Sequence, residues 1–230
     1  MIATAVLVVA AAQPYHESRF ERMDEEGIDI ALVLDVSLSM LAEDFPPNRL
    51  AALRSIAGDF LDRSGGHRVG IYIFAGDTYV QSPLTEDRVA LKTLLDSVSV
   101  HALNQTKGGG TAIGDALVMA IERLQRQKVE GRDQAVILIT DGESNLGLDP
   151  MLAARYLKRA EARLYAIGIG SETPQEVYFQ GERVGGDTPF LAALDDESLR
   201  AMTAIANGEY FRATDADALG KVFGELSRLE

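Results

Sequence analysis

Residues 30–41 read IALVLDVSLSML: five apolar residues in a row, then Asp35, then hydroxyls at Ser37 and Ser39. A run that is apolar at every position, not at every second one, marks a strand covered on both faces, as in the middle of a parallel sheet. Similar runs recur along the chain. "IDIALVLDV" (28–36), "RVGIYIFA" (68–75), "TYVQS" (78–82), "QAVILITD" (134–141), "RLYAIGIG" (163–170) and "GEYFRA" (208–213) are the expected strands. Helical patterns separate them. Asn48 is a natural N-cap for a helix over 49–62, where Leu50, Leu53, Ile56, Phe60 and Leu61 recur at helical spacing. Ile113, Leu117, Ile121 and Leu124 mark a second helix, 152–162 and 198–206 supply two more, and the amphipathic "DADALGKVFGELSRLE" (215–230) closes the chain. The alternation predicts an α/β fold, a doubly wound and mostly parallel sheet with helices on both faces. Only Gly76 and Asp77 join the second and third strands, a hairpin-length link, so one edge strand is expected to be antiparallel. The breakers in 171–194 predict an irregular hairpin-like insertion.

Composition narrows the function. With 230 residues, 47% of them hydrophobic, the chain fits one well-cored domain, taken here as 27–230. Thirty-five acidic against 22 basic residues leave a formal charge of -13, a surface that repels nucleic acid and anionic lipid. Cysteine is absent, which removes disulfides, thiolate metal sites and a thiol nucleophile. His16, His67 and His101 are scattered without metal-ligand spacing. The opening "MIATAVLVVAAAQP" (1–14) lacks the positive start of a signal peptide and falls short of the about 20 apolar residues a bilayer needs. Two readings stand: a buried or frayed terminal segment, or the tail of a transmembrane helix cut short where the chain begins.

In a parallel α/β sheet, ligands bind outside the carboxyl ends of the strands. Asp35 ends the first strand there, Asp141 of "ILITDGES" ends another, and Thr111 opens a helix after "KGGG" at the same edge. Together with Ser37 and Ser39 they form a set of oxygen donors that converge from distant parts of the chain. A carboxylate carried into a poorly solvated cleft costs several kcal/mol or takes up a proton, and a divalent cation removes that cost. Hard oxygens without His or Cys suit Mg²⁺, with Mn²⁺ or Ca²⁺ as alternatives, and disfavour Zn²⁺ and Cu²⁺. Two carboxylates leave such a cation net positive, with a position that an Asp or Glu of a partner protein could fill. "KGGGT" lacks the Lys-Ser/Thr ending of a phosphate loop, so no nucleotide is expected, and its glycines serve to bring Thr111 to the metal.

The combination of "DVSLSM", "GGGT" and "LITDG" resembles the von Willebrand factor type A (VWA) domain with its metal-ion-dependent adhesion site, over roughly 27–228. The resemblance implies a Rossmann-like fold, Ser37, Ser39 and Thr111 as direct ligands, and Asp35 and Asp141 as ligands mostly through water. Leu38 stands where many members have Gly and is expected to face the rim of the site. Within that family, "GIDIALVLDVSLSMLAEDFPPNRL", "FAGDTYVQSPLTED", "GGGTAIGDAL" and "GEYFRATDADAL" are similar to the bacterial aerotolerance-type membrane proteins, the Bat group. That likeness implies a bacterial inner-membrane protein anchored by 1–14, its soluble domain facing the periplasm. The implied setting is a stress-tolerance or envelope complex with related membrane VWA proteins and a MoxR-type AAA+ ATPase. A non-catalytic, metal-dependent interaction module is therefore expected, in which Asp35→Ala or Asp141→Ala abolishes partner binding and leaves the fold intact. Two alternatives remain: a metal-assisted hydrolase using Asp44 or Glu143 as acid or base, and a scaffold whose metal is structural. Phe45, between Asp44 and the Pro46–Pro47 pair, belongs either to the docking rim or to a helix lead-in.

Overall fold

A computed structural model describes residues 27–100, 110–179, 181–214, 221 and 224; the apolar segment 1–14, the glycines 108–109 and almost all of 215–230 lie outside them. Strand β1 (Asp29–Asp35) leads through a 3₁₀ turn (Leu38–Leu41) to α1 (Arg49–Arg63), β2 (Arg68–Phe74) and β3 (Thr78–Thr85). Then come α2 (Arg88–Asp96), α3 (Ile113–Arg126), β4 (Gln134–Thr140), α4 (Pro150–Arg159) and β5 (Arg163–Gly168). Four two-residue strands follow, β6 (Gln175–Glu176), β7 (Tyr178–Phe179), β8 (Glu182–Arg183) and β9 (Leu191–Ala192), before α5 (Asp196–Ile205) and β10 (Tyr210–Arg212).

The six-stranded main sheet runs β10-β5-β4-β1-β2-β3, parallel throughout except for β3, which pairs antiparallel with β2 at the edge. This is the sheet expected from the apolar runs and the Gly76-Asp77 link. Strand β1 lies at its centre with all seven residues buried. Its alternate residues divide between the two layers. Ile30, Leu32 and Leu34 pack with Leu53 and Phe60 of α1 and Leu91 and Leu95 of α2. Ala31 and Val33 pack with Ile113, Leu117 and Ile121 of α3, Leu157 of α4 and Met202 of α5. Each large aliphatic side chain so buried contributes about 1.5–3 kcal/mol.

Helix α2 is not among the helices read from periodicity, because it is nine residues long and buries only Leu91 and Leu95. Its readable signal is the N-cap, Asp87, whose carboxylate accepts the Ala90 N–H at 3.0 Å. Strand β3 also runs three residues beyond the expected Ser82, through Pro83, which an edge strand tolerates. Residues 171–179 and 181–194 form a nested ribbon in which β6 pairs with β9 and β7 with β8, both antiparallel. Its base, Val177 and Ala192, packs on Ala42.

The site's location follows from the winding. From β1 the chain moves outward to β2, while β4, on the other side of β1, leads outward to β5. The loops leaving β1 and β4 therefore diverge and open a crevice at their carboxyl ends. The register sets Leu34 opposite Ile139, so Asp35 and Thr140 end neighbouring strands together.

Gly114, in the first turn of α3, tests how tightly the crevice wall is packed. A Cβ there would lie 2.0 Å from the Leu148 carbonyl oxygen, and the Leu148 N–H is held by Asp115 Oδ1 at 3.0 Å. Helix propensity alone favours Ala over Gly by about 1 kcal/mol. Gly114→Ala is nevertheless expected to destabilise the domain by roughly 1–3 kcal/mol, because the loop behind it must shift. A urea midpoint equal to or above that of the wild type contradicts this packing.

Candidate functional site

Asp35 is wholly buried, its Oδ1 accepting the Ser37 N–H at 2.8 Å and its Oδ2 the Thr140 hydroxyl at 2.6 Å. The 3₁₀ turn closes directly after the strand through Met40 N–H to Ser37 O and Ala42 N–H to Ser39 O, both at 3.1 Å. That curl brings the Ser37 and Ser39 hydroxyls within 2.9 Å of each other. Ser39 also lies close enough to the Asp141 carboxylate to favour its charged form, and Asp141 in turn lies close enough to Asp35 to repel its charge. Four of the five expected residues are thus joined by side-chain interactions. Thr111, also buried, joins through its main chain: its N–H donates to Asn145 Oδ1 at 2.8 Å, and its carbonyl accepts the Asn145 and Leu146 N–H groups at 3.0 and 3.1 Å. Ala112 N–H to Ala75 O, at 2.8 Å, ties the same segment to the end of β2.

The electrostatics follow from burial. Desolvation, followed by repulsion from Asp141, pushes Asp35 from 3.8 to about 7, against the hydrogen bonds from Ser37 and Thr140. Burial also raises Asp141, opposed by Ser39 and Arg49. Glu143 is raised by burial and then by Asp141.

Arg49, the first residue of α1, is the component that the sequence reading missed. Its side chain is 0% exposed, and Nη1 donates to Asp141 Oδ2 at 2.9 Å. Nε and Nη2 fork onto the two oxygens of Asp44 at 2.8 and 2.7 Å. Burial alone would raise Asp44, but the guanidinium outweighs it and holds that carboxyl below its ordinary range. The available clue is that Arg49 shares the apolar face of α1 with Leu53 and Phe60. A buried arginine on such a face demands a buried acid. Leu38, expected to face the rim, and Phe45, read as either docking rim or helix lead-in, are half-buried and pack against the core beside α1, and the Asp44–Arg49 fork latches 42–48 to that helix.

The one guanidinium is shared between Asp44 and Asp141, while Asp35, beside the Ser37 and Ser39 hydroxyls, is held by amide and hydroxyl donors without a cationic partner among the described residues. Such a set fits a hard divalent cation. Among the described residues no group of three or more Asp, Glu, His or Cys is placed to hold a metal, so acidic side chains alone do not make up a coordination sphere here.

Comparison with known proteins agrees with this architecture. The UPF0353 protein of Nocardia farcinica is 26% identical over 241 residues, a match covering 98% of this chain and 69% of that one. The crystal structure of the conserved hypothetical protein BatB from Bacteroides thetaiotaomicron superposes with a TM-score of 0.80 at 27% identity, covering 88% of this chain and 98% of that one. An aerotolerance-related membrane protein from Bacteroides fragilis gives the same TM-score, 0.80, and identity, 27%, over 89% of this chain and 100% of that one. Among the described residues no helix is long and apolar enough to cross a membrane. A family model for the von Willebrand factor type A domain matches residues 29–225, and the chain therefore belongs to that family of protein-interaction modules.

Proposed function

We propose that the domain is a divalent-metal-dependent interaction module with no catalytic chemistry of its own. The observation that carries this reading is the buried carboxylate of Asp35, held by amide and hydroxyl donors only, with Asp141 and the Ser37 and Ser39 hydroxyls beside it. Ser37, Ser39 and Thr111 would hold Mg²⁺, or Mn²⁺ or Ca²⁺, directly, and Asp35 and Asp141 mostly through water. When bound, the cation supplies an open, positive position for a partner's Asp or Glu. Asp44, one of the two groups nominated for hydrolysis, has both oxygens engaged by Arg49, which speaks against an acid-base role. In the wider reading the protein is anchored in a bacterial inner membrane with this domain facing the periplasm. There it works with related membrane VWA proteins and a MoxR-type AAA+ ATPase in envelope or stress tolerance. The likeness to an aerotolerance-related membrane protein supports that setting.

The test is capture of partners from native membranes with the domain as bait, in Mg²⁺, in chelator, and with Asp35→Asn. Asn keeps the side chain's shape and spares the Asp141–Arg49 pair, which Asp141→Ala would break. Retention by the metal-loaded wild type alone is expected. Equal retention in all three conditions sinks the proposal and leaves the cation, if it binds, as a structural ion.

A further inference from the structure

Both ends of the 171–194 ribbon are fastened to residues that surround Asp141. At the entrance, the Ser171 N–H donates to Asp44 Oδ2 at 2.7 Å. At the exit, the Asp195 N–H donates to the Asp141 carbonyl at 2.8 Å, and Leu194 N–H to Ser171 O at 2.9 Å closes the neck. Arg49 stands between these anchors. Its Nη2 reaches the Ala192 carbonyl of β9 at 3.3 Å while Nη1 holds Asp141. The guanidinium also lies against the backbone of Gly170, where a Cβ would come within 2.8 Å of Cζ. Gly170, with φ of +142°, is the residue from which the chain leaves the sheet for the ribbon.

From this geometry we infer that Arg49 couples the ribbon to the cation site: a docked ribbon strengthens cation binding, and a bound cation fastens the ribbon. The inference rests on the metal-site reading above. One guanidinium is shared between two carboxylates, and the ribbon decides the sharing. With the ribbon seated, Ser171 N–H and the Ala192 carbonyl hold Asp44 and Nη2 in place, so the fork stays on Asp44 and only Nη1 faces Asp141. A lifted ribbon releases both holds, and the freed guanidinium turns more of its charge onto Asp141, where it competes with a cation. Linkage makes the effect reciprocal. Arg49 is in this sense a positioning residue for Asp141. A partner that grips the ribbon would then tighten the cation without touching it, and one that lifts the ribbon would loosen it.

The experiment measures Mn²⁺ affinity by titration calorimetry and amide hydrogen exchange of Ser171, Leu194 and Asp195 with and without saturating Mg²⁺, in the wild type and in Asp44→Asn. In the wild type Mg²⁺ is expected to slow exchange at all three amides by about tenfold, as for a local opening closed by a ligand. In Asp44→Asn the metal-free neck is expected to exchange faster, and Mn²⁺ affinity to fall by roughly 10- to 100-fold, the usual effect of removing an outer-shell partner. A merely structural latch would loosen the neck without changing Mn²⁺ affinity. That result, or neck exchange indifferent to Mg²⁺ in the wild type, overturns the coupling while the metal site stands. A wild type that takes up no Mn²⁺ overturns both.

Discussion

In chelator, the domain is expected to lose stability as pH rises from about 4 to about 7, and Mg²⁺ to restore it at the upper end. Asp35 takes up a proton at about 7 in the fold against 3.8 in the ordinary state, chiefly because it is buried and secondarily because Asp141 repels its charge. Between those values the folded chain binds more protons than the unfolded one, so unfolding free energy falls with rising pH. Acids whose pKa is lowered on folding, such as Asp44 and Asp196, act with the opposite sign and in a lower window, losing their contribution only as pH falls below about 4. The two effects are therefore separable. At about 1.4 kcal/mol per pKa unit, the Asp35 penalty above neutral pH is on the order of 4 kcal/mol. In a domain of this size that lowers Tm by roughly 10 °C. A cation that binds the ionised carboxylate reverses the loss by mass action. Asp35→Asn removes the charge and keeps the shape. It is expected to melt higher than the wild type in chelator at pH 7.5, to show a flatter pH profile and to ignore Mg²⁺. Melting scans from pH 4 to 8, with and without Mg²⁺, decide the matter. A wild-type Tm that is flat over this range in chelator, or an Asp35→Asn chain that melts lower, contradicts the assignment of a desolvated, cation-seeking carboxylate.

Arg49→Met is expected to be the most damaging single substitution near the site, costing about 3–5 kcal/mol. The side chain carries the only guanidinium that contacts either Asp141 or Asp44 in the described structure, and neither Arg49 nor Asp141 has exposed side-chain surface. Methionine would fill most of the volume, so the loss would come from stranding Asp141 and Asp44 without their counter-charge. Arg49→Lys should recover only part of it. An ammonium can meet one carboxylate, but it cannot fork onto Asp44 while reaching Asp141 and the Ala192 carbonyl. Urea unfolding monitored by circular dichroism gives the comparison, with the order wild type, Lys, Met expected. An Arg49→Met chain within 1 kcal/mol of the wild type would mean that Asp44 and Asp141 are relieved in some other way, and the charge balance argued for the site would have to be abandoned.

What was readable along the chain was whatever shows itself through local periodicity. The unbroken apolar run ending at Asp35, the matching run ending at Asp141 and the two-residue link at Gly76-Asp77 specify a buried parallel sheet with one antiparallel edge, and they put both carboxylates at its carboxyl end. The hydroxyls of Ser37 and Ser39 were legible as residue types following Asp35, but it is the 3₁₀ turn, not strand alternation, that brings them together. Helix α2 was less so, with only two buried side chains to mark a period. Tertiary structure alone decided which partner each buried charge found. Arg49 meets Asp141 across 92 residues, Asp35 accepts from Thr140 across 105, and Asp44 receives Ser171 across 127. A pattern of period 2 or 3.6 reports that a side chain is buried, because burial follows from the face it occupies. It carries no information about which strand end or ribbon neck will close over that face, and in a low-dielectric interior that choice determines whether a charge is balanced, shared or left for a cation.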